Sequence, residues 1–167
     1  MPSGRNNKLL GATGEYLVAA ELCRRGLIAT TFTGNVPFYD IIASDEIGRH
    51  VAVQVKASSK GSWQVSDVTN YFEVTFNETR QIVGKPKPCP IKRLVMIFVV
   101  VDSEGQDRFY ILTWEEFRNI LLKSHKQYLA THNGIRPKKW DSLHAAIKED
   151  LLKDYQDNWT QVQKNLG

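Results

Sequence analysis

The sequence predicts a mixed sheet with helices packed on it, in one α/β or α+β layer structure. Three observations support this: a helical apolar period near the start of the chain, short β-rich runs through its middle, and a helix-capping pattern after the last run. At 167 residues the chain has the length of one domain. We expect a single domain over 1–167, with a core over 1–112 and a helical C-terminal extension over 113–167.

The first predicted elements are a helix over 8–25 and a strand over 27–32. Gly26 separates them as a helix stop, and Gly34-Asn35 ends the strand. On a helical wheel the apolar residues of the helix form one arc, which we expect to face the sheet. This arc contains Leu9, Ala12, Tyr16, Ala19, Ala20, Leu22 and Cys23.

A β-hairpin follows, because two β-rich runs, 39–44 and 50–56, flank a glycine-containing loop over 45–49. With that loop, Ser44 pairs with His50, and Asp40 lies directly opposite Gln54.

The remaining runs predict further strands and helices. We expect a loop or weak strand around 63–65, a strand over 71–76, an extended proline-rich loop over 85–90, and strands over 94–101 and 109–112. Thr113 and Glu116 fit the capping-box spacing and start a helix that reaches His125 or beyond. A second helix is expected over 143–162.

Composition narrows the class of protein. With 42% hydrophobic residues and two cysteines, the chain is not collagen-like, disulfide-rich or disordered in bulk. The cysteines are expected to be reduced thiols, although a bridge between Cys23 and Cys89 stays open. The longest apolar run, 94–101, is far shorter than the roughly 20 residues of a membrane span. We therefore expect a soluble cytoplasmic protein.

The net charge of +4 is unevenly distributed. The segment 80–93 carries five basic residues and no acid, and 118–139 carries six and no acid, which leaves a net charge of −7 elsewhere. Such segments are typical either of a solvated lysine-rich face or of a surface that neutralises phosphates.

Polar side chains interrupt the apolar hairpin strand. Gln54 and Lys56 share one strand face, and Asp40 lies opposite Gln54. Glu15 falls inside the apolar arc of the first helix, where a charged group needs a partner. Oxygen ligands of this kind favour Mg²⁺, or alternatively Mn²⁺, over Zn²⁺. We therefore expect Asp40, Gln54 and Glu15 to form a metal site; the alternative is that each group is capped or solvated separately.

These residues carry a resemblance to a known family. The helix with Gly14-Glu15, then Asp40, then the strand with Gln54-Val55-Lys56 resembles the active-site pattern of the PD-(D/E)-x-K nuclease superfamily, whose fold is restriction-endonuclease-like. The similarity is greatest to small Holliday-junction-resolvase-like and homing-endonuclease-like members. It covers about the first 60 residues and, more loosely, the strands up to 112.

The resemblance implies a catalytic set of Asp40, Gln54, Lys56 and Glu15. Asp40 would be the central metal ligand, Glu15 a further ligand, and Lys56 the group that orients or helps deprotonate the attacking water. Gln54 departs from the usual Asp or Glu, so the metal would be held less strongly. Pro37 stands three residues before Asp40 rather than next to it.

We therefore expect a Mg²⁺-dependent DNA endonuclease that acts as a homodimer or homotetramer. The alternatives are a catalytically impaired DNA-binding protein on the same fold and an interaction module with a structural polar patch. Trp63 either covers the sheet or stacks on a base. The expected DNA contacts share a basic or hydroxyl side chain and are Ser58, Ser59, Lys60, Arg80, Lys85, Lys87, Lys126, Arg136, Lys138 and Lys139.

Overall fold

A five-stranded mixed sheet forms the centre of the molecule. The computed structural model describes residues 4–32 and 36–167, so the predicted break at Gly34-Asn35 lies outside the described residues. The sheet has the strand order β1 (Ile28–Thr31), β2 (Ile41–Ser44), β3 (His50–Ser58), β7 (Val95–Val100) and β8 (Arg108–Thr113). Only the β3–β7 pair is parallel, and the other three pairs are antiparallel. This topology confirms the predicted α/β class with a mixed sheet.

The elements follow the chain in a regular order. The helices are α1 (Gly4–Arg24), α2 (Trp114–Ala130) and α3 (Thr160–Lys164), with 3₁₀ turns at Val68–Asn70 and Glu149–Tyr155. The strands of the central sheet are β1 (Ile28–Thr31), β2 (Ile41–Ser44), β3 (His50–Ser58), β7 (Val95–Val100) and β8 (Arg108–Thr113). Two small antiparallel sheets pair β4 (Ser62–Val65) with β9 (Ala145–Lys148) and β5 (Phe72–Asn77) with β6 (Arg80–Pro86).

The central sheet is buried on both faces. One face packs against α1 and the C-terminal Trp159 and Val162, and the other packs against α2 and the small sheets, where Trp63 and Phe117 lie. All six residues of β7 are buried, as its continuous apolar run predicts. The capping box at Thr113 and Glu116 is also present and starts α2.

The predicted apolar arc of α1 is wrong in detail. Leu9 and Tyr16 are 59% and 67% exposed, whereas Val18 and Leu22 are completely buried. The contact face runs instead through Gly14, because a Cβ atom there would lie only 2.7 Å from the Cβ of Ala57 in β3. Helix α1 therefore buries the face that contains Gly14, where its backbone comes close to β3, and not the whole of the predicted apolar arc.

The C-terminal prediction needs a correction. The helical extension holds for α2, but the segment predicted as a helix over 143–162 contains β9, a 3₁₀ helix and only the start of α3. β9 is held by its pairing with β4, and Glu149 after it bonds to Arg108 and Tyr110 of β8. These long-range contacts override the helical propensity of the segment. Strand β6 was not predicted. Both cysteines are free.

Candidate active site

The β2–β3 hairpin has the register that the sequence predicts. Ser44 pairs with His50 and Ile41 with Val53, across a loop over 45–49. The paired residues end at Ile41 and Val53, and the expected Asp40–Gln54 pair is not formed. The Asp40 N–H donates instead to the Val53 carbonyl at 2.8 Å, one residue out of that alignment, at the end of the hairpin away from its turn.

The Asp40 carboxylate is held by the backbone of the partner strand. Its Oδ2 accepts a hydrogen bond from the Val55 N–H at 2.7 Å. A carboxylate that takes the place of a ladder carbonyl is fixed against the strand end. Its other oxygen, Oδ1, accepts no hydrogen bond within the described part of the chain, so it can bind a ligand.

Gln54 and Lys56 lie on one face of β3 and line a cleft of about 510 Å³. This is the face that packs against α2, because Ala52 of the same strand face belongs to that core. Both side chains are half-buried. Among the described residues, Lys56 makes no ion pair, so its ammonium group can interact with an anionic ligand in the cleft.

Glu15 approaches the site from α1. Partial burial raises the pKa of its carboxyl group above the ordinary value, and the negative charge of Asp40 raises it further. The two carboxylates are therefore close enough to repel each other. Neither of them lines the cleft, which is bordered by Gln54 and Lys56.

This donor set fits a hard cation. Two carboxylates and one amide oxygen suit Mg²⁺, which is held in proteins by one or two carboxylates together with waters and substrate phosphates. A divalent cation would also offset the repulsion between Glu15 and Asp40. Within residues 4–32 and 36–167, no three His, Cys, Asp or Glu side chains form a metal-binding group, so a third protein oxygen would have to come from Gln54, which lies on the strand face turned away from α1.

The basic segments divide between two places. Lys87 lines the same cleft as Lys56, and Arg118 donates to the Lys87 carbonyl at 2.7 Å. Arg136, Lys138 and Lys139 surround a separate surface depression. That depression adjoins the turn end of the β5–β6 hairpin, where the Gln81 N–H donates to the Gly134 carbonyl at 2.9 Å.

The other expected DNA contacts differ in accessibility. Lys85, Arg80 and Lys126 are exposed, as are Ser59 and Lys60 in the turn after β3. Ser58 is buried; its hydroxyl donates to the Ser62 carbonyl and accepts from the N–H groups of Lys60 and Ser62. We correct the expectation for Ser58, because its hydroxyl is occupied in the turn and is shielded from a DNA strand.

The sequence does not predict where two aromatic residues of the cleft lie. Trp63 is 4% exposed and packs edge-on against Phe98 and Tyr110, so it belongs to the core. Phe38 lines the cleft, is 55% exposed and has a φ of 74°. The sequence carries no pattern for a positive φ at a phenylalanine, so only the structure could locate this ring.

Comparison with known proteins finds similar solved structures, of which two are described. The chain is similar to the bacterial homing endonuclease I-Ssp6803I, at 15% identity over 94% of this chain and 93% of that one, with a TM-score of 0.49. It is also similar to Hjc of Archaeoglobus fulgidus, a Holliday junction resolvase from an archaeal hyperthermophile, at 16% identity over 86% and 87% of the two chains, with a TM-score of 0.44. No family model and no curated protein matches.

Proposed function

We propose that the protein is a metal-dependent endonuclease that hydrolyses phosphodiester bonds in DNA. The observation that carries this proposal is the end of the β2–β3 hairpin, where the Val55 N–H holds the Asp40 carboxylate and Lys56 lines the adjoining cleft. Convergent polar groups beside a cleft are the usual mark of a reactive site.

Each residue has a distinct role in the proposed reaction. Asp40, Glu15 and Gln54 would hold Mg²⁺, or alternatively Mn²⁺, and the bound metal would supply Lewis-acid activation of a water molecule and of the scissile phosphate. The Val55 N–H keeps the Asp40 carboxylate in place. Lys56 contributes positive charge where the phosphate becomes more negative, and its ammonium group orients the attacking water.

Cationic side chains around the cleft supply the DNA contacts. Lys87, Lys60 and the Ser59 hydroxyl would bind phosphates near the scissile bond, while Arg136, Lys138 and Lys139 would bind the strand farther away. Cutting both strands of a duplex requires two such sites, so we propose that the protein acts as a homodimer or homotetramer.

Gln54 supports a second candidate, a DNA-binding protein with an impaired metal site. An uncharged amide contributes less to Mg²⁺ affinity than a carboxylate does. This candidate shares the DNA contacts of the first and differs only in the absence of cutting.

A nicking assay on supercoiled plasmid tests the endonuclease proposal. Asp40→Asn keeps an acceptor for the Val55 N–H but removes the charge, and Lys56→Met keeps the aliphatic packing but removes the ammonium group. We expect each variant to nick about 10²–10³-fold more slowly with Mg²⁺ or Mn²⁺, at unchanged DNA affinity and thermal stability. Lys148→Ala, which removes an exposed lysine in β9, is the matched control and keeps the full rate.

The outcomes separate the two candidates. Metal-dependent nicking that survives in Asp40→Asn and Lys56→Met would assign the reaction to other residues and reject this site. Salt-sensitive DNA binding without nicking under any divalent metal would favour the impaired protein. In that case Gln54→Glu, which adds a third carboxylate, should increase Mg²⁺ affinity measured by calorimetry.

A further inference from the structure

The cleft beside Lys56 is lined by more than phosphate-binding groups. Its inner wall contains the buried aromatic rings of Trp63, Tyr71 and Trp114, and its rim carries the exposed polar side chains of Gln64 and Asn70. Its volume of about 510 Å³ lies within the range of about 300–1,000 Å³ in which proteins bind small organic molecules. An apolar inner wall and a polar rim suit a flat heterocycle better than a bare phosphate.

Phe38 places an additional ring at this cleft. It is 55% exposed although it is a large apolar side chain, and its φ of 74° is unfavourable for any residue with a Cβ atom. Backbone strain of this kind persists where surrounding structure enforces it, and it is concentrated at ligand sites. Phe38 also stands only two residues before Asp40, so the same short segment of backbone carries this ring and a residue of the proposed metal site.

Trp63, which lines the same cleft, has an unused hydrogen-bond donor. Its indole Nε1–H is buried and has no hydrogen-bond partner within residues 4–32 and 36–167. A buried donor without a partner costs free energy, and a ligand acceptor would recover it. A nucleobase supplies both features that the cleft lacks, a flat face for stacking and acceptor atoms on its edge.

We propose that this cleft binds the base of an unpaired nucleotide next to the phosphodiester that is cut. The base stacks on Phe38, and an acceptor on its edge receives the Trp63 indole N–H. Lys56 and Lys87, which line the same cleft, bind the phosphates on either side. This inference rests on the proposed endonuclease function and deepens it: the substrate is DNA with an unpaired or readily extruded nucleotide beside the scissile bond.

The test compares three DNA duplexes of one sequence. The first is fully paired, the second carries one unpaired thymine, and the third carries an abasic nucleotide in place of that thymine. Affinities are measured by fluorescence anisotropy in EDTA, where no cutting occurs. We expect the wild-type protein to bind the unpaired thymine duplex about 5- to 160-fold more tightly than the other two, which is the range for stacking one base on an aromatic side chain.

Four variants identify the groups responsible. Phe38→Ala should lose the preference for the unpaired thymine, and Phe38→Tyr, which keeps a ring, should retain it. Trp63→Phe keeps the aromatic packing, removes the N–H, and should weaken the preference severalfold. Ile47→Ala removes a 78% exposed apolar side chain from the turn at the opposite end of the hairpin, and it should change nothing. Thermal unfolding checks that each variant is folded.

The results distinguish this inference from the proposed function. Equal affinity for the thymine and abasic duplexes, or a preference that survives in Phe38→Ala, would overturn the base site. Such a result leaves metal-dependent nicking untouched. Conversely, a thymine preference that depends on Phe38, in a protein that never nicks DNA, would support the base site and reject the endonuclease.

Discussion

At the scale of single residues, His125 shows how burial fixes a protonation state. It is buried in α2, and its Nε2 lies 3.2 Å from Gln81 Oε1 in β6. The Gln81 amide nitrogen donates to the carbonyls of Trp140 and Ser142, so Gln81 presents its oxygen to the histidine, whose Nε2 is therefore the donor. Burial, and then the positive charge of Arg136, lower the pKa of His125 to about 4.

This lowered pKa predicts a pH-dependent stability. Between pH 6.5 and about 4, His125 is protonated in the unfolded chain but neutral in the folded protein. The unfolded state then binds more protons, so the free energy of unfolding falls as the pH falls through this window. The pKa difference corresponds to a loss of about 3 kcal/mol at 1.36 kcal/mol per unit.

Urea unfolding of the wild type and of His125→Gln at pH 7 and pH 4 measures the effect. The variant keeps a donor for Gln81 but has no imidazole to titrate, so it should lose less stability on acidification than the wild type. If both proteins lose the same stability, His125 is protonated in the folded state and the assigned environment is wrong.

At the scale of secondary-structure elements, the contact between α1 and β3 positions Glu15. Helix α1 approaches the strand at Gly14, where an added Cβ atom would lie 2.7 Å from Ala57 Cβ and 3.6 Å from Val55 Cγ1. Both neighbours are short side chains fixed on a central strand, so the helix itself would have to move. Glu15 is the next residue along α1, and its interaction with Asp40 depends on this separation.

Gly14→Ala should therefore destabilise the protein despite the higher helix propensity of alanine. Overpacking costs about 1–3 kcal/mol, against about 1 kcal/mol gained from propensity. Gly11→Ala is the matched control in the same helix, because nothing lies within 4 Å of the added Cβ atom, and it should be neutral or stabilising. Urea unfolding of both variants gives the comparison.

Ala57→Gly provides the second control for this contact. In that background Gly14→Ala should cost less, since the opposing methyl group is gone, and the double-mutant cycle isolates the α1–β3 term. Equal effects of alanine at positions 11 and 14 would show that α1 does not approach β3 this closely.

The region around the α1–β3 contact contains features that the sequence predicts and others that it cannot predict. The hairpin register from Ser44–His50 to Ile41–Val53 could be predicted because the 45–49 loop and the apolar alternation of β2 and β3 are local. The predicted Asp40–Gln54 pair was wrong, because the Asp40 N–H donates to the Val53 carbonyl instead. The buried face of α1 could not be predicted, because it depends on a glycine meeting a residue some forty positions later. Strand β9 could not be predicted for a similar reason, since only its pairing with β4 makes it a strand.

At the scale of the whole molecule, no helix in the part of the chain that the structure describes has the length and apolarity to cross a bilayer. The basic residues occupy the cleft, at Lys87, and the opposite end of the β5–β6 hairpin, near Arg136. Strand β6 has seven residues and spans about 23 Å, the length of about seven base pairs of duplex DNA.

These two basic sites predict separate contributions to the salt dependence of DNA binding. Each phosphate contact contributes about one unit to the slope of log affinity against log salt concentration. Lys87→Ala should lower the slope by about 1 for a 30-base-pair duplex, and the double variant Lys138→Ala/Lys139→Ala by about 2, if one duplex follows β6 across both sites. Lys153→Ala, an exposed lysine outside both basic segments, should leave the slope unchanged.

The double variant decides how far the DNA extends from the cleft. Because Lys138 and Lys139 lie beyond the reach of a phosphate next to Lys56, their contribution requires a duplex that runs the length of the hairpin. Shortening the duplex to about six base pairs should then abolish the effect of Lys138→Ala/Lys139→Ala while keeping that of Lys87→Ala. An unchanged slope for the double variant on the long duplex would confine DNA to the cleft and leave the second basic segment as a solvated surface.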